Sequence, residues 1–350
     1  MMSRPVRLVV VGATGAVGTE ILRILEQRNF PLSDIVPVAS ERSAGRRLPF
    51  GGGHIEVVAL EDAVFESADL CLFDVPDDVA REWGPRAAAA GGVVVDNSGA
   101  WRMDDSVPLV VPEINPQAAA DRPRGIIASP NCTTLAMVVP LAPLAARAGL
   151  ERLIVASYQA TSGAGKAGVD ELWDQTQTAA KEGELVRSGL AREILTAGQA
   201  FSHPIALNVL PQAGSFKGGG FTSEELKLCH ETRKIMGLPE LRVTATCVRV
   251  PVVTGHGVAV HAEFSQPLSP DEARSILEGA PGVEVVDDPA AFAYPTPLEA
   301  AGRDPCFVGR IRQDPFDERA LELFCVADNL RKGAALNAVQ IAELLVAEWS

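Results

Sequence analysis

At 350 residues the chain is long enough for two domains with separate cores. A hydrophobic fraction of 47% and a charged fraction of 22% are those of a globular protein and exclude a disordered one. The net charge of −14 argues against nucleic acid and against anionic membrane surfaces as partners, so any anionic ligand has to be held by locally gathered arginines and lysines.

The longest apolar stretch, 135–144, is broken by Pro140 and Pro143 and is too short to span a bilayer. Residues 1–7 lead straight into a strand-like run without the pattern of a cleaved leader, so a cytoplasmic location is expected. The six cysteines are scattered, with no C-x-x-C pair, and neither a metal site nor a disulfide framework is expected. Most lie in apolar surroundings, as in Leu70-Cys71-Leu72, and read as small buried hydrophobes.

In chain order, residues 7–12 read as a strand and 17–27 as a helix with Val17, Ile21, Ile24 and Leu25 on one face. Strands follow at 35–39, at 55–60 after a triple-glycine turn, at 70–73 and at 93–96, with a helix over 79–90. Wholly apolar strands separated by helices predict a parallel sheet buried on both faces. From 153 onward the pattern changes. Residues 153–158, 241–251 and 258–264 alternate as in an antiparallel sheet. Helices are predicted over 170–182, 223–236 (capped by Thr222 or Ser223), 267–280 and 334–349.

Gly12, Gly15 and Gly18 follow the first strand and open the first helix. In that position glycines let the backbone approach a phosphate, and a helix N-terminus offers N–H groups and a positive dipole end. The spacing is G-x-x-G-x-x-G rather than G-x-G-x-x-G, and a structural tight turn would carry the same residues. After the second strand the chain runs Ser40-Glu41-Arg42-Ser43. Ser40, Arg42 and Ser43 suit a 2′-phosphate and point to NADP, while Glu41 points the other way.

Cys132, in Ser129-Pro130-Asn131-Cys132-Thr133-Thr134, sits between a short strand and a helical run. A helix N-terminus stabilises a thiolate, although a structural cysteine at a turn fits the same pattern. A thiolate attacking a carbonyl needs a proton partner. Of the five histidines, His256 is flanked by Gly255 and Gly257 at a strand junction, where a surface-turn histidine is the alternative.

Taken together the motifs resemble the bacterial aspartate-β-semialdehyde dehydrogenase family over essentially the whole chain. The matching pieces are the 12–18 loop, Asp96-Asn97-Ser98 with Trp101-Arg102, and Val111-Pro112-Glu113-Ile114-Asn115. They continue with 129–134, 157–165, Thr222-Ser223-Glu224-Glu225-Leu226-Lys227, Arg249-Val250-Pro251, Gly255-His256, 308–312 and 327–335. The resemblance implies a Rossmann-like NADP-binding domain over 1–130 and 328–350. It implies an α+β substrate and dimerisation domain, with a mostly antiparallel sheet, over 131–327. A homodimer is expected, with a tetramer as the alternative.

The resemblance also implies roles. Cys132 is the acylated nucleophile, His256 the general acid/base, and Gln159 orients the thioester. Arg249 holds the substrate carboxylate and Glu224 its amino group. Arg102, Asn131 and Lys227 hold phosphate. Gly12, Thr14, Gly15, Ala16, Val17, Ser40, Arg42, Ser43, Ser162, Gly163 and Asn329 contact the cofactor. The implied reaction is reduction of aspartyl phosphate to aspartate semialdehyde with NADPH, through a thioester, in the biosynthesis of lysine and diaminopimelate, threonine and methionine. An N-acetyl-γ-glutamyl-phosphate reductase shares this logic, but its acylated amine has no charge for Glu224 to hold. A cofactor-binding homologue without activity is a further alternative. One departure stands out: where the family has a small-residue Ala-Gly-Gly stretch, this chain has Asp74-Val75-Pro76-Asp77-Asp78. These carboxylates are expected to face solvent or to cap the next helix, or else to alter contact with the cofactor.

Overall fold

The structure is a computed structural model in which residues 4–349 are described. Its first elements are β1 (Val6–Val11), α1 (Ala16–Gln27), β2 (Leu32–Ala39), β3 (Arg47–Phe50), β4 (Gly53–Glu56), β5 (Val58–Ala59), β6 (Leu70–Phe73), α2 (Asp77–Ala89), β7 (Val93–Asp96) and β8 (Ile126–Ala128). Next come α3 (Cys132–Ala148), β9 (Leu150–Gln159), α4 (Gly165–Lys181), α5 (Gly183–Arg187), α6 (Ser223–Met236), β10 (Arg242–Arg249) and β11 (His256–Phe264). The chain closes with α7 (Pro270–Glu278), β12 (Val283–Val285), α8 (Pro297–Ala300), β13 (Cys306–Gln313), β14 (Ala320–Ala327) and α9 (Leu336–Glu348).

Two compact units divide the chain. Among the described residues, one comprises 4–135, 230–238 and 331–349, and the other comprises 136–229 and 239–330.

The first unit holds a parallel six-stranded sheet in the order β5-β2-β1-β6-β7-β8. The apolar runs of β1 and β6 are buried almost throughout, because helices cover both faces of such a sheet. Ile21, Ile24 and Leu25 of α1 share one core with Leu8, Val10, Leu70 and Leu72, and Val339, Ile341 and Leu345 of α9 join it. Strand order reverses between β1 and β6. In doubly wound sheets that crevice, at the carboxyl ends of the strands, is where ligands bind. Gly12 follows β1 there, and Asp74 follows β6.

The second unit holds a six-stranded sheet in the order β10-β9-β11-β14-β13-β12. It is mixed. The three central pairings are antiparallel, while β10 on β9 and β12 on β13 are parallel. Alternation along β9 leaves Ile154 and Tyr158 about two-fifths exposed on one face. A smaller core gathers around α4, with Leu172, Ile205 and Leu210.

Four local readings change. The strand expected at 241–251 to alternate as in an antiparallel sheet is β10, which lies at the sheet edge and pairs parallel to β9. The strand expected over 55–60 is a β3–β4 hairpin followed by the two-residue β5, because the triple glycine turns the chain back on itself. The second helix begins at Asp77, before the expected residue 79. The last helix is preceded by a π-helical turn, Arg331–Ala335, whose Lys332 ammonium is fully buried and held by Glu113, Asn337 and Gln340.

Candidate active site

In the first unit the glycine loop is built by close backbone approach. Gly12 has φ +94°, and a Cβ there would lie 2.0 Å from the Asp74 carbonyl oxygen. A Cβ on Gly18 would lie 2.2 Å from the Gly12 carbonyl oxygen, so α1 can pack against the loop only through glycine. No side chain caps α1 at Gly15, and Gly15 and Ala16 are exposed. That leaves the helix N-terminus open to an anion. Thr14 and Val17 flank it, half-buried. Beyond β2, Ser40, Glu41 and Arg42 are exposed on a short 3-10 turn while Ser43 is buried.

Cys132 is the first residue of α3 and is half-buried. The Asn131 side chain caps that helix: its Oδ1 accepts from the N–H groups of Thr133 (2.9 Å) and Thr134 (3.3 Å). Among the other cysteines, Cys71, Cys247, Cys306 and Cys325 are buried. Burial pushes the thiols of Cys71 and Cys247 up to about 12 and raises that of Cys325 as well, so these are inert at neutral pH.

Arg102 is buried beside this helix start, with each guanidinium nitrogen engaged. Nε donates to the Ser129 carbonyl (2.9 Å), Nη2 to the Asn97 carbonyl (2.5 Å) and Nη1 to Glu231 (3.1 Å). The other Glu231 oxygen accepts from the Asn131 N–H at 2.6 Å. Lys234, one turn further along α6, donates to the carbonyls of Arg102, Asp104 and Val107 at 2.8–2.9 Å. Neither Glu231 nor Lys234 was singled out by the sequence. Both read as ordinary charges on an amphipathic helix.

The acidic loop splits. Asp77 and Asp78 are exposed in the first turn of α2, where a negative charge suits the helix dipole, and Asp77 accepts from the Gly99 N–H at 2.8 Å. The helix cap position itself is Pro76. Asp74 turns inward toward the glycine loop, and a Cβ on Gly15 would lie 3.9 Å from its Oδ2. Burial lifts the Asp74 carboxyl to about 6; the Asn97 side chain and Arg102 oppose the rise and Asp96 adds to it. Burial also lifts Asp96 to about 6, against its hydrogen bonds from Ser98.

In the second unit the sheet register collects the remaining predicted residues. Gln159 ends β9 and pairs with Arg249, which ends β10, while His256 begins the antiparallel β11 at the same edge. All three are buried, His256 completely. Arg249 Nη1 donates to the Ala160 carbonyl at 2.6 Å, and the Ala160 N–H donates to His256 Nδ1 at 3.0 Å. Since Nδ1 accepts, the neutral ring carries its proton on Nε2. Burial, with the Arg249 charge adding to it, pushes this imidazole down to about 3. Gly163 closes over the pair, where a Cβ would lie 2.8 Å from Arg249 Nη1 and 3.2 Å from His256 Cε1.

Gln159 Nε2 donates to Ser157 Oγ at 3.2 Å. Ser162 and Asn329 hydrogen-bond to each other, and Asn329 Oδ1 also accepts from the Gly255 N–H. Glu224 and Lys227 form an ion pair of 2.7 Å on α6. That helix opens with a capping box between Thr222 and Glu225, which makes Thr222 the cap. Elsewhere in this unit His261, Asp314 and Glu322 cluster closely enough to hold a cation, and His261 Nδ1 already pairs with Glu322 at 2.7 Å.

Comparison with known families finds two matching domain families along the chain. "Semialdehyde dehydrogenase, NAD binding domain" matches residues 7–122, and "Semialdehyde dehydrogenase, dimerisation domain" matches residues 141–332. The molecule is thus of the two-domain, nucleotide-dependent dehydrogenase class. Aspartate-semialdehyde dehydrogenase of Aquifex aeolicus is 48% identical over 98% of both chains, and that of Streptomyces akiyoshiensis is 50% identical over 98% of this chain and 99% of its own. The crystal structure of aspartate semialdehyde dehydrogenase II from Vibrio cholerae complexed with ASA superposes with a TM-score of 0.93 at 41% identity, over 99% of this chain and all of that one. The chain belongs to the aspartate-semialdehyde dehydrogenase family.

Proposed function

We propose that the protein interconverts aspartyl phosphate and aspartate semialdehyde with NADP through a thioester on Cys132. The observation that carries this reading is the seat of Cys132. It is the one predicted nucleophile, it opens a capped helix, and the buried thiols of Cys71, Cys247 and Cys325 are held protonated.

In the reductive direction the Cys132 sulfur attacks the acyl carbon, the bond from carbon to the phosphate oxygen breaks, and phosphate leaves with the electron pair. The nicotinamide, when bound, supplies hydride to the thioester carbon. His256, as a neutral Nε2–H donor, stabilises the charge that builds on the carbonyl oxygen, and Gln159 orients that carbonyl. Loss of the thiolate then releases the aldehyde. Arg249 grips the substrate carboxylate and Glu224 its ammonium, while Arg102, Asn131 and Lys227 serve the phosphate. Arg249, Arg102 and Lys227 supply the local positive charge that a chain of net charge −14 otherwise lacks.

The open N-terminus of α1 and the close approach at Gly12 suit a dinucleotide pyrophosphate. Exposed Ser40 and Arg42 favour NADP over NAD. A relative described as an aspartate semialdehyde dehydrogenase with NADP from Candida albicans, 25% identical with a TM-score of 0.75, supports the same choice. The reading assigns cofactor binding to 1–130 with 328–350, and substrate binding and pairing of two subunits to 131–327. Its setting is the cytoplasm. Among the described residues no helix is long and apolar enough to cross a membrane.

The test is phosphate-dependent reduction of NADP with aspartate semialdehyde, with NAD in parallel. Cys132→Ala is expected to abolish turnover and to leave NADP binding intact; normal turnover in that variant would sink the assignment.

A further inference from the structure

The geometry points to Glu231 as a positioning residue for the reaction: a single buried carboxylate sets the guanidinium of Arg102 and the start of the Cys132 helix in one register. The inference rests on the function proposed above.

Its two oxygens do different work. Oε1 accepts from Arg102 Nη1 at 3.1 Å, and Oε2 accepts from the main-chain N–H of Asn131 at 2.6 Å. Asn131 in turn caps α3 and precedes Cys132 directly. Displacing the carboxylate therefore moves both the arginine and the peptide that leads into the nucleophile. The side chains of Glu231 and Arg102 are 1% and 8% exposed. A buried ion pair is a weak source of stability, since desolvation offsets most of the attraction, so stability alone does not account for this one. What the pair supplies is geometry. The Arg102 Nε and Nη2 groups are fixed by the Ser129 and Asn97 carbonyls, and Glu231 fixes the third nitrogen. Lys234 pins the same loop from the next turn of α6 through three carbonyls. A guanidinium held on all sides cannot swing, and small misplacements of such groups cost on the order of 100-fold in rate.

The test uses Glu231→Gln and Glu231→Asp in the full-length protein. Glutamine keeps the shape but turns one acceptor into an NH2, which then faces either the Arg102 guanidinium or the Asn131 N–H, donor against donor. Aspartate keeps the charge but is one methylene shorter. Three quantities are read: KM for phosphate against kcat, the pH profile of Cys132 alkylation by iodoacetamide, and NADP affinity. In Glu231→Gln the phosphate KM is expected to rise by about tenfold or more and the alkylation profile to move, with NADP affinity unchanged. Glu231→Asp is expected to recover part of both. In an Arg102→Lys background, Glu231→Gln is expected to add little to the phosphate KM, because the two act as a unit.

An unchanged phosphate KM and alkylation profile in Glu231→Gln overturns the inference. So does a loss that extends equally to NADP affinity, which would mark a purely structural role. If Glu231→Gln fails to fold, Glu231→Asp decides by the same readings. Alkylation needs no turnover. A wild-type protein without phosphate-dependent activity would therefore defeat the functional reading, while the alkylation profile still tests the placement of Cys132.

Discussion

The main-chain N–H of Ala160 donates to Nδ1 of His256 at 3.0 Å, so a strand-end peptide dictates which nitrogen of a buried imidazole holds the proton. The ring is forced to act through Nε2–H. Protonating it would set an Nδ1–H against the Ala160 N–H, in addition to the cost of a charge buried beside Arg249.

Nitrogen NMR of the imidazole is therefore expected to show a neutral Nε2–H tautomer from about pH 8 down to about pH 5. The folded-state value of about 3 lies below the unfolded value of 6.5. The unfolded chain takes up the proton first, so the stability this group contributes is complete above about 6.5 and is lost as pH falls toward about 3. A ring that titrates near its ordinary value, or that carries its proton on Nδ1, would contradict this account.

Asp74 runs the other way. Its folded-state value of about 6 exceeds the ordinary 3.8, so the folded chain holds the proton more tightly than the unfolded one. Stability falls as pH rises from about 4 to about 6 and stays lowered above that window. Asp74→Asn removes the buried charge, and at about pH 8 it is expected to unfold at a higher temperature than the wild type by up to about 3 kcal/mol of stability. The difference should close near pH 4, where both side chains are neutral. Thermal unfolding at the two pH values checks this. An equal difference at both would assign the effect to packing instead.

Arg249→Lys keeps the charge but loses the planar fork. Arg249 donates to the Ala160 carbonyl with one nitrogen, and a point-charge ammonium cannot serve that carbonyl and a substrate carboxylate in the same geometry. The expected outcome is a fall in kcat/KM for aspartate semialdehyde on the order of 100-fold, with thermal stability within about 1 kcal/mol of the wild type. Steady-state kinetics beside a melting curve separates the two.

Gly12→Ala sets a Cβ 2.0 Å from the Asp74 carbonyl at a φ of +94°, whereas Gly45→Ala meets open space at a φ of +81°. Both carry the strain of a left-handed backbone, about 1 kcal/mol or more, but only the first also meets a neighbour. Gly12→Ala is expected to lose NADP binding and several degrees of melting temperature, and Gly45→Ala to keep its binding. Calorimetric titration of both variants with NADP measures this.

Much of the fold could be read from the chain because its signals are local. The apolar runs of β1 and β6, the glycine loop before α1, the helix opened by Thr222 and the placement of Cys132 at a helix start each depend on neighbours within a few residues. The same local reading fails at 55–60, where two-residue β5 owes its place to pairing with β2 rather than to its own pattern. It also fails at the acidic loop, where Asp77 and Asp78 face solvent in the first turn of α2 but Asp74 turns toward Gly15.

By itself the sequence determined the family, and it placed Cys132 at a helix start and the glycine loop between a strand and a helix, since each is a matter of residue type and spacing along the chain. Only the tertiary structure decided that Glu231 is buried and bridges Arg102 to Asn131, that His256 is neutral with its proton on Nε2, and that burial raises the Asp74 carboxyl. The physical reason is common to all three. Desolvation and hydrogen-bond partners set the behaviour of a charge, and here they come from residues 22 to 129 positions away in the chain, as between Asp74 and Asp96 or Arg102 and Glu231.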